Sequence, residues 1–421
     1  MRYFSLFACL LCIYAPLRAS DTLTLAQCRA LAVQNSPLQQ KKGLAESTAA
    51  LQIRSLESNN LPKINLGAQA SWQSDVFGLP ISFPGVEIPK VPKDQYKLTA
   101  DVSERIWDGR LNRTLTEQKS LEKELTLAQT EVDVYQLREL VTDFYCKALL
   151  LQESVAVLES AKKDLEQRLK QAEAGISEGI ALRTTADQIR IQLLKNDQQI
   201  ATTAADFKTL LELLAIWIGR PASDFAITAR SAAPPIALAG FNRPEYHLFD
   251  VQAKNLQLNK SLLQQRTQPR LDAFAQTGLG NPNPLNFFDQ GFSPFLLIGL
   301  RAAWTPIDWG NTKRDQQVLD IQVKNIEVHK ANFEQRLQVS LQRDQQDALK
   351  FQALLKQDDE IIALQTDIIS RADAQLQNGV MTATDYLTQL NLLTQAKITR
   401  KTHEMQALQA RELQLAKNGD Q

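Results

Sequence analysis

Only three histidines and four cysteines occur in the 421 residues of this chain. His247, His329 and His403 stand far apart, each on a helical stretch, so they read as solvent-facing or packing side chains and give no metal-ligand spacing. Cys9 and Cys12 fall inside an N-terminal apolar run and are not placed as lipidated N-terminal cysteines. That leaves Cys28 and Cys146, one pair at most, on separate helical stretches, and no disulfide framework is expected. The chain has no phosphate-cradling P-loop and no Gly-x-Ser-x-Gly elbow; Gly278-Leu279-Gly280 and Asp108-Gly109 are turn signals only. An enzyme is not expected, and no catalytic, cofactor-binding or metal residue is assigned. Net charge is missing too: 47 basic residues balance 47 acidic ones with no block of one sign, which removes the electrostatic footprint that nucleic acid requires. Past the first 20 residues no apolar run approaches the ~18 residues of a transmembrane helix. The stretch 210–218 is interrupted by Glu212, and 295–300 is too short.

What the chain does have is the same set of parts twice. Asn35, Pro37, Pro62, Ala68 and Gln69 recur as Asn242, Pro244, Pro269, Ala275 and Gln276, at a constant offset. Ile106-Trp107-Asp108-Gly109 returns as Ile307-Asp308-Trp309-Gly310, and Glu178-Gly179-Ile180 as Asn378-Gly379-Val380. A period of about 200 residues far exceeds that of solenoid repeats and reads as duplication of a multi-element unit. The expected organisation is a signal peptide over 1–19, a first repeat over 20–218, a linker over 219–243 and a second repeat over 244–421. The signal reading rests on Arg2, the apolar run 4–14, Pro16, and small residues at Ala19 and Ser20, with cleavage after one of these two. The linker holds Pro221, Pro234, Pro235 and Gly240, and it is expected to lie with the chain termini.

Each repeat contains two alternating strands. Ile64, Leu66, Ala68, Ala70 and Trp72 alternate with polar or small residues, as do Tyr96, Leu98, Ala100 and Val102, across a Pro/Gly-rich loop at 78–93. In the second repeat Leu271, Ala273, Ala275, Thr277 and Leu279 face Leu296, Ile298, Leu300, Ala302 and Trp304. Roughly 10 to 14 residues per strand suits tilted spans of a membrane barrel, and Trp72, Tyr96 and Trp304 lie near strand ends, where an aromatic girdle would sit. An open four-stranded sheet in lipid leaves its edge backbone groups unpaired, so several chains would have to share one barrel.

Each strand pair precedes a very long helix. No proline interrupts 111–172, and about 60 residues of helix make a rod of roughly 90 Å. Leu341, Ala348, Leu355, Ile362, Ile369 and Leu376 recur every seventh residue, a seam that calls for partner helices. A glycine break then turns the chain back into a second helix in each repeat, near 182–215 and 384–415.

The ordered, duplicated set resembles the TolC-type outer-membrane efflux protein family, over essentially the whole mature chain from Leu23-Thr24-Leu25-Ala26 onward. The resemblance implies a mainly α fold with transmembrane β: long coiled-coil hairpins plus four strands per chain, in a shared 12-stranded trimeric barrel with an internal two-fold repeat. It implies a homotrimer in the outer membrane of a Gram-negative bacterium, extending into the periplasm and contacting outer-membrane lipid. Such a duct passively conducts what an inner-membrane pump of RND, ABC or MFS type and a periplasmic membrane-fusion adaptor deliver, in tripartite efflux or type I secretion. Gly179, Ile180, Gly379 and Val380 take the places of the family's adaptor-contacting tip, matching at the glycines. Asp385 occupies the first position of the family's acidic pore constriction, and Thr388 stands where a second aspartate would be. Thr185 is the first-repeat counterpart. Met381 replaces a tip arginine of some members; Arg183 and Arg371 are the nearby alternatives. A helix N-terminal acid is the other reading of Asp385. A periplasmic coiled-coil adaptor and a structural coiled coil remain the other functional readings, although two equivalent hairpins disfavour the first and the strand pairs the second.

Overall fold

The structure is a computed structural model and describes residues 21–76, 91–179, 182–228, 243–286, 289 and 291–418. The expected signal segment, Ile180, residues 78–90 of the first strand loop and 229–242 of the linker lie outside the described residues.

The element order is β1 (Asp21–Leu23), α1 (Leu25–Asn35), α2 (Leu38–Glu57), β2 (Lys63–Trp72), β3 (Asp94–Trp107), α3 (Leu111–Ser177) and α4 (Arg183–Ile218), then β4 (Phe225–Ile227), α5 (Pro244–Arg266), β5 (Arg270–Asn281), β6 (Ser293–Ala303), α6 (Asn311–Gln377) and α7 (Ala383–Asn418). The fold is mainly helical. α3 and α6 are 67 residues each, and α4 and α7 are 36 each. The chain forms two compact units, one of residues 1–39, 133–243 and 334–421, the other of 40–132 and 244–333.

In the first unit the core gathers α1, the middle of α3, the end of α4, β1 and β4. Leu25, Cys28, Val141, Tyr145, Leu149, Leu214, Ile218 and Phe225 pack there. β1 and β4 pair in parallel, so the linker joins the N-terminal segment by its Phe225–Ile227 strand. The Tyr145 hydroxyl lies 2.8 Å from the Leu23 carbonyl oxygen and 2.7 Å from that of Thr228, tying both short strands to α3. α4 ends on Gly219 at φ 67°, and the Asn35 amide donates to the Ile218 carbonyl at 2.6 Å. A Cβ on Gly219 would come within 2.9 Å of the Asn35 side chain, so glycine is needed both for its left-handed backbone and for this approach. Cys28 and Cys146 are free and buried, and burial pushes both thiols up to about 12, which keeps them protonated and unreactive.

The heptad seam of α6 is half-buried from Leu341 to Leu376, and a second line beside it, Leu337, Asp344, Asp358 and Ala372, is fully buried. Two carboxylates on that line are paired to α7: Asp344 with Lys417 at 2.5 Å and Asp358 with His403 at 2.6 Å. His403 also stacks on Phe351 at 5.9 Å, so its role is packing between the helices.

In the second unit the four strands form one antiparallel sheet in the order β2-β3-β5-β6. β3 is longer than its alternation suggested: it pairs with β5 in regular register through Arg105 and, beyond a bulge, at Trp107. Two equivalent turns lead from the sheet to the long helices. Asp108 accepts the Asn112 N–H at 2.7 Å, and Asp308 accepts those of Thr312 at 2.8 Å and Gly310 at 2.9 Å. Each aspartate is followed by two residues at positive φ, Gly109 and Arg110 in one turn and Trp309 and Gly310 in the other. The same turn therefore carries its glycine one position later in the second half. The Thr312 hydroxyl, together with these N–H groups, holds the Asp308 carboxyl below its usual range.

Candidate functional site

Two regions carry functional geometry: the faces of the sheet and the tips of the helical hairpins. In the sheet, Ile64 pairs with Val102, Leu66 with Ala100 and Ala68 with Leu98, while Val102 pairs with Ala275, which pairs with Ile298. The register thus lines up the alternating apolar positions of the four strands on one face, while Phe274, Phe295 and Leu297 fall on the other. That face is bare. Leu66 is 81% exposed, Ile298 70% and Leu300 66%. Its charged members, Asp94 and Glu104, lie toward the two ends of β3.

The opposite face carries Lys63, Lys97, Arg105, Arg270 and Arg301 with Asp101 and Asp272. Its side chains bond to one another. Arg105 pairs with Asp272 at 3.2 Å, Thr99 donates to Asp101 at 3.1 Å, and Gln276 donates to the other Asp101 oxygen. Thr99 and Phe295 are buried on this side. Two glycines permit the arrangement: a Cβ on Gly278 would lie 2.0 Å from the Leu98 carbonyl oxygen, and one on Gly299 2.8 Å from the Phe274 ring.

At the hairpin tips, Gly179 (φ 76°) and Gly379 (φ 71°) are left-handed, and neither would meet a neighbour if it bore a Cβ, so backbone conformation alone calls for glycine. The Gly379 turn is closed by the Val380 N–H reaching back to Gln375 at 2.8 Å, a Schellman-type cap. Ile180 lies outside the described residues. Val380 is 78% exposed at the turn.

α7 starts at a cap in which Thr382 accepts the Asp385 N–H at 3.2 Å and donates to the Asp385 carboxylate at 2.7 Å. Asp385 is thus an exposed first-turn acid, as the helix-dipole reading has it, and its carboxylate remains open to solvent. Thr388, also exposed, lies one turn on and donates to the Thr384 carbonyl at 2.9 Å. Thr185, Gly379 and Met381 line a cavity of about 660 Å³ between the two tips, together with Thr184, Gln188 and Thr382.

In the wall of this cavity a cation unremarked in the sequence joins three helices. Arg168 of α3 pairs with Asp373 of α6 and lies over the Tyr386 ring of α7 at 5.2 Å. Tyr386 is 2% exposed, and burial raises its phenol pKa. Leu165, Ile189, Ala372 and Leu390 surround the group. Neither expected alternative takes part: Arg371 pairs within its own helix with Asp367 at 2.6 Å, and no ion pair is seen for Arg183 among the described residues. The signal for Arg168 was present, since it sits three residues after Leu165 and four before Ala172 on the buried stripe of α3.

A sheet with one bare apolar face and one polar face, on a chain of long paired helices, resembles the TolC-type outer-membrane channels. The family model described as "Outer membrane efflux protein" matches residues 29–220. Three solved structures share the fold. VceC of Vibrio cholerae is 12% identical, with 94% of this chain and 96% of that one covered and a TM-score of 0.70. The CmeC outer membrane channel of Campylobacter jejuni is 14% identical, at 94% and 85% coverage and 0.71. CusC is 12% identical, at 95% and 93% coverage and 0.73. No curated protein sequence matches the chain. Residues 29–220 thus match the outer-membrane efflux protein family, and over nearly its whole length the chain shares the fold of solved outer-membrane channels, so the outer membrane is the compartment to which both comparisons point. The proteins it matches are channels, not enzymes.

Proposed function

We propose that the protein is the exit duct of a tripartite efflux or type I secretion system, working as a homotrimer that receives substrate from an inner-membrane pump through a periplasmic adaptor. The observation that carries this reading is the four-stranded sheet. Its apolar face is uncovered, and its outer strands β2 and β6 each have an edge without a partner strand among the described residues. Pairing β6 of one protomer with β2 of the next, three times, gives twelve strands, closes every edge and turns the apolar faces to lipid and the polar faces to a lumen. Duplication of one ancestral unit accounts for the matched lengths of α3 with α6 and α4 with α7.

In this reading Gly179, Ile180, Gly379 and Val380 present the adaptor-docking tip. Asp385 and Thr388 line the constriction, and Arg168, Asp373 and Tyr386 latch the two hairpins of one protomer in the closed state. Three Asp385 carboxylates around a narrow pore would favour cations. Asp385→Ala is expected to raise single-channel conductance and lower cation preference in planar bilayers; if both stay at wild-type values, Asp385 has no place at the constriction.

A further inference from the structure

The polar face of the sheet has more positive charge than it neutralises. Five basic side chains stand against two carboxylates, and one of these, Asp272, is taken up by Arg105 at 3.2 Å. The other, Asp101, accepts from Thr99 and Gln276 and forms no ion pair among the described residues. Four cations, Lys63, Lys97, Arg270 and Arg301, are thereby left without an acidic partner among the described residues, a surplus of three once the charge of Asp101 is counted. The Lys63 ammonium donates only to the neutral Asn59 amide at 3.0 Å. Lys97 approaches the Gln276 amide oxygen at 3.5 Å and lies 5.5 Å from the centre of the Phe295 ring, and Arg301 lies 5.2 Å over the Phe274 ring. Lys63, Arg105 and Arg301 line the same recess of about 340 Å³ as Phe274 and the carboxylates of Asp272 and Glu104, three cations against two anions.

We infer that this face is a binding and selectivity site for anionic, carboxylate- or phosphate-bearing compounds. The inference rests on the barrel reading, in which the polar face lines the lumen and three copies of it surround one pore. A surplus of three positive charges per chain then becomes nine around a water-filled, low-dielectric-walled passage, where field lines concentrate and raise the local concentration of anions. The rings hold the Lys97 and Arg301 heads in place and offer flat apolar surface beside them, so anions bearing a planar apolar group fit best. The site has the opposite sign to the Asp385 constriction. The duct would therefore select in two stages: acidic at the tip, basic in the barrel.

The test uses full-length protein reconstituted in planar bilayers, with citrate and benzene-1,3,5-tricarboxylate added separately on the extracellular side. Both are expected to block current, the aromatic acid at lower concentration. A Lys63→Gln/Lys97→Gln/Arg301→Gln variant should raise the half-blocking concentration about tenfold or more, and Lys97→Gln and Arg301→Gln alone should each raise it by less. Block by the cation hexamminecobalt added on the periplasmic side should not change in any of them. Channels that conduct normally but are blocked equally in wild type and variants would overturn the anion site and leave the duct intact. Protein that does not conduct at all would overturn the barrel reading and this inference with it.

Discussion

Arg168 shows how one side chain can join elements distant in sequence. Its guanidinium meets a carboxylate from α6 and a ring from α7, all from a position flanked by Leu165 and Leu169. Removing it leaves Asp373 without its partner in a three-quarters-buried setting, at a cost of about 1–3 kcal/mol. Arg168→Leu is therefore expected to raise open probability in bilayers and lower the thermal midpoint; closed-state conductance identical to wild type would remove the latch. Asp308 is the second informative residue. Its carboxyl is held below the usual range by the Thr312 hydroxyl first and by the Thr312 and Gly310 N–H groups, so its contribution is full above the unfolded-state value near pH 4 and is lost as pH falls through the lower folded value. The midpoint gap between wild type and Asp308→Asn should be constant at neutral pH and shrink below about pH 4. A gap independent of pH down to 2 would show that the charge does not matter. Asp308 could be anticipated from the Asp-Trp-Gly turn, whereas the latch could not, because the partner of a seam arginine depends on which helix faces it.

At the scale of elements, periodicity made most of the fold legible. Alternation at 64–72 and 96–102 gave the first hairpin, and its register then followed, because a one-residue slip would turn Leu66 and Leu98 to the polar side. The glycine breaks at 179 and 379 gave the hairpin tips. Two features were hidden. The parallel pair β1 and β4 is three residues long on each side, too short for any period to register, and it is fixed by Tyr145 from far along the chain. The buried line Leu337, Asp344, Asp358 and Ala372 was masked by its own aspartates, which look solvated until Lys417 and His403 are seen to meet them. Close strand approach gives a test at this scale. With a Cβ 2.0 Å from the Leu98 carbonyl oxygen, Gly278→Val should separate β5 from β3 and abolish heat-modifiable mobility of the assembled protein, while Gly179→Val at the open tip should leave it unchanged. Wild-type mobility of Gly278→Val would refute the sheet register.

For the whole molecule, the decisive property is incompleteness. A sheet with bare edges and a bare apolar face is not stable alone in water or in lipid, and association of several copies is the arrangement that satisfies its backbone and its surface together. In the proposed duct, function would be divided along the chain: a shared barrel for passage through the outer membrane, the hairpin tips for docking and closure, and the pump for most of the choice of substrate. The sequence could indicate the parts through the duplication, but the proposal of three copies around one pore draws on register, face polarity and edges taken together.

The most direct test of this account is single-channel conductance in planar bilayers of protein purified from outer membranes, with the mass of the same detergent-solubilised sample. The expected result is a trimer with a small conductance that rises when Arg168 or Asp385 is replaced. A monomer, or a trimer that passes no current even after both replacements, would contradict it.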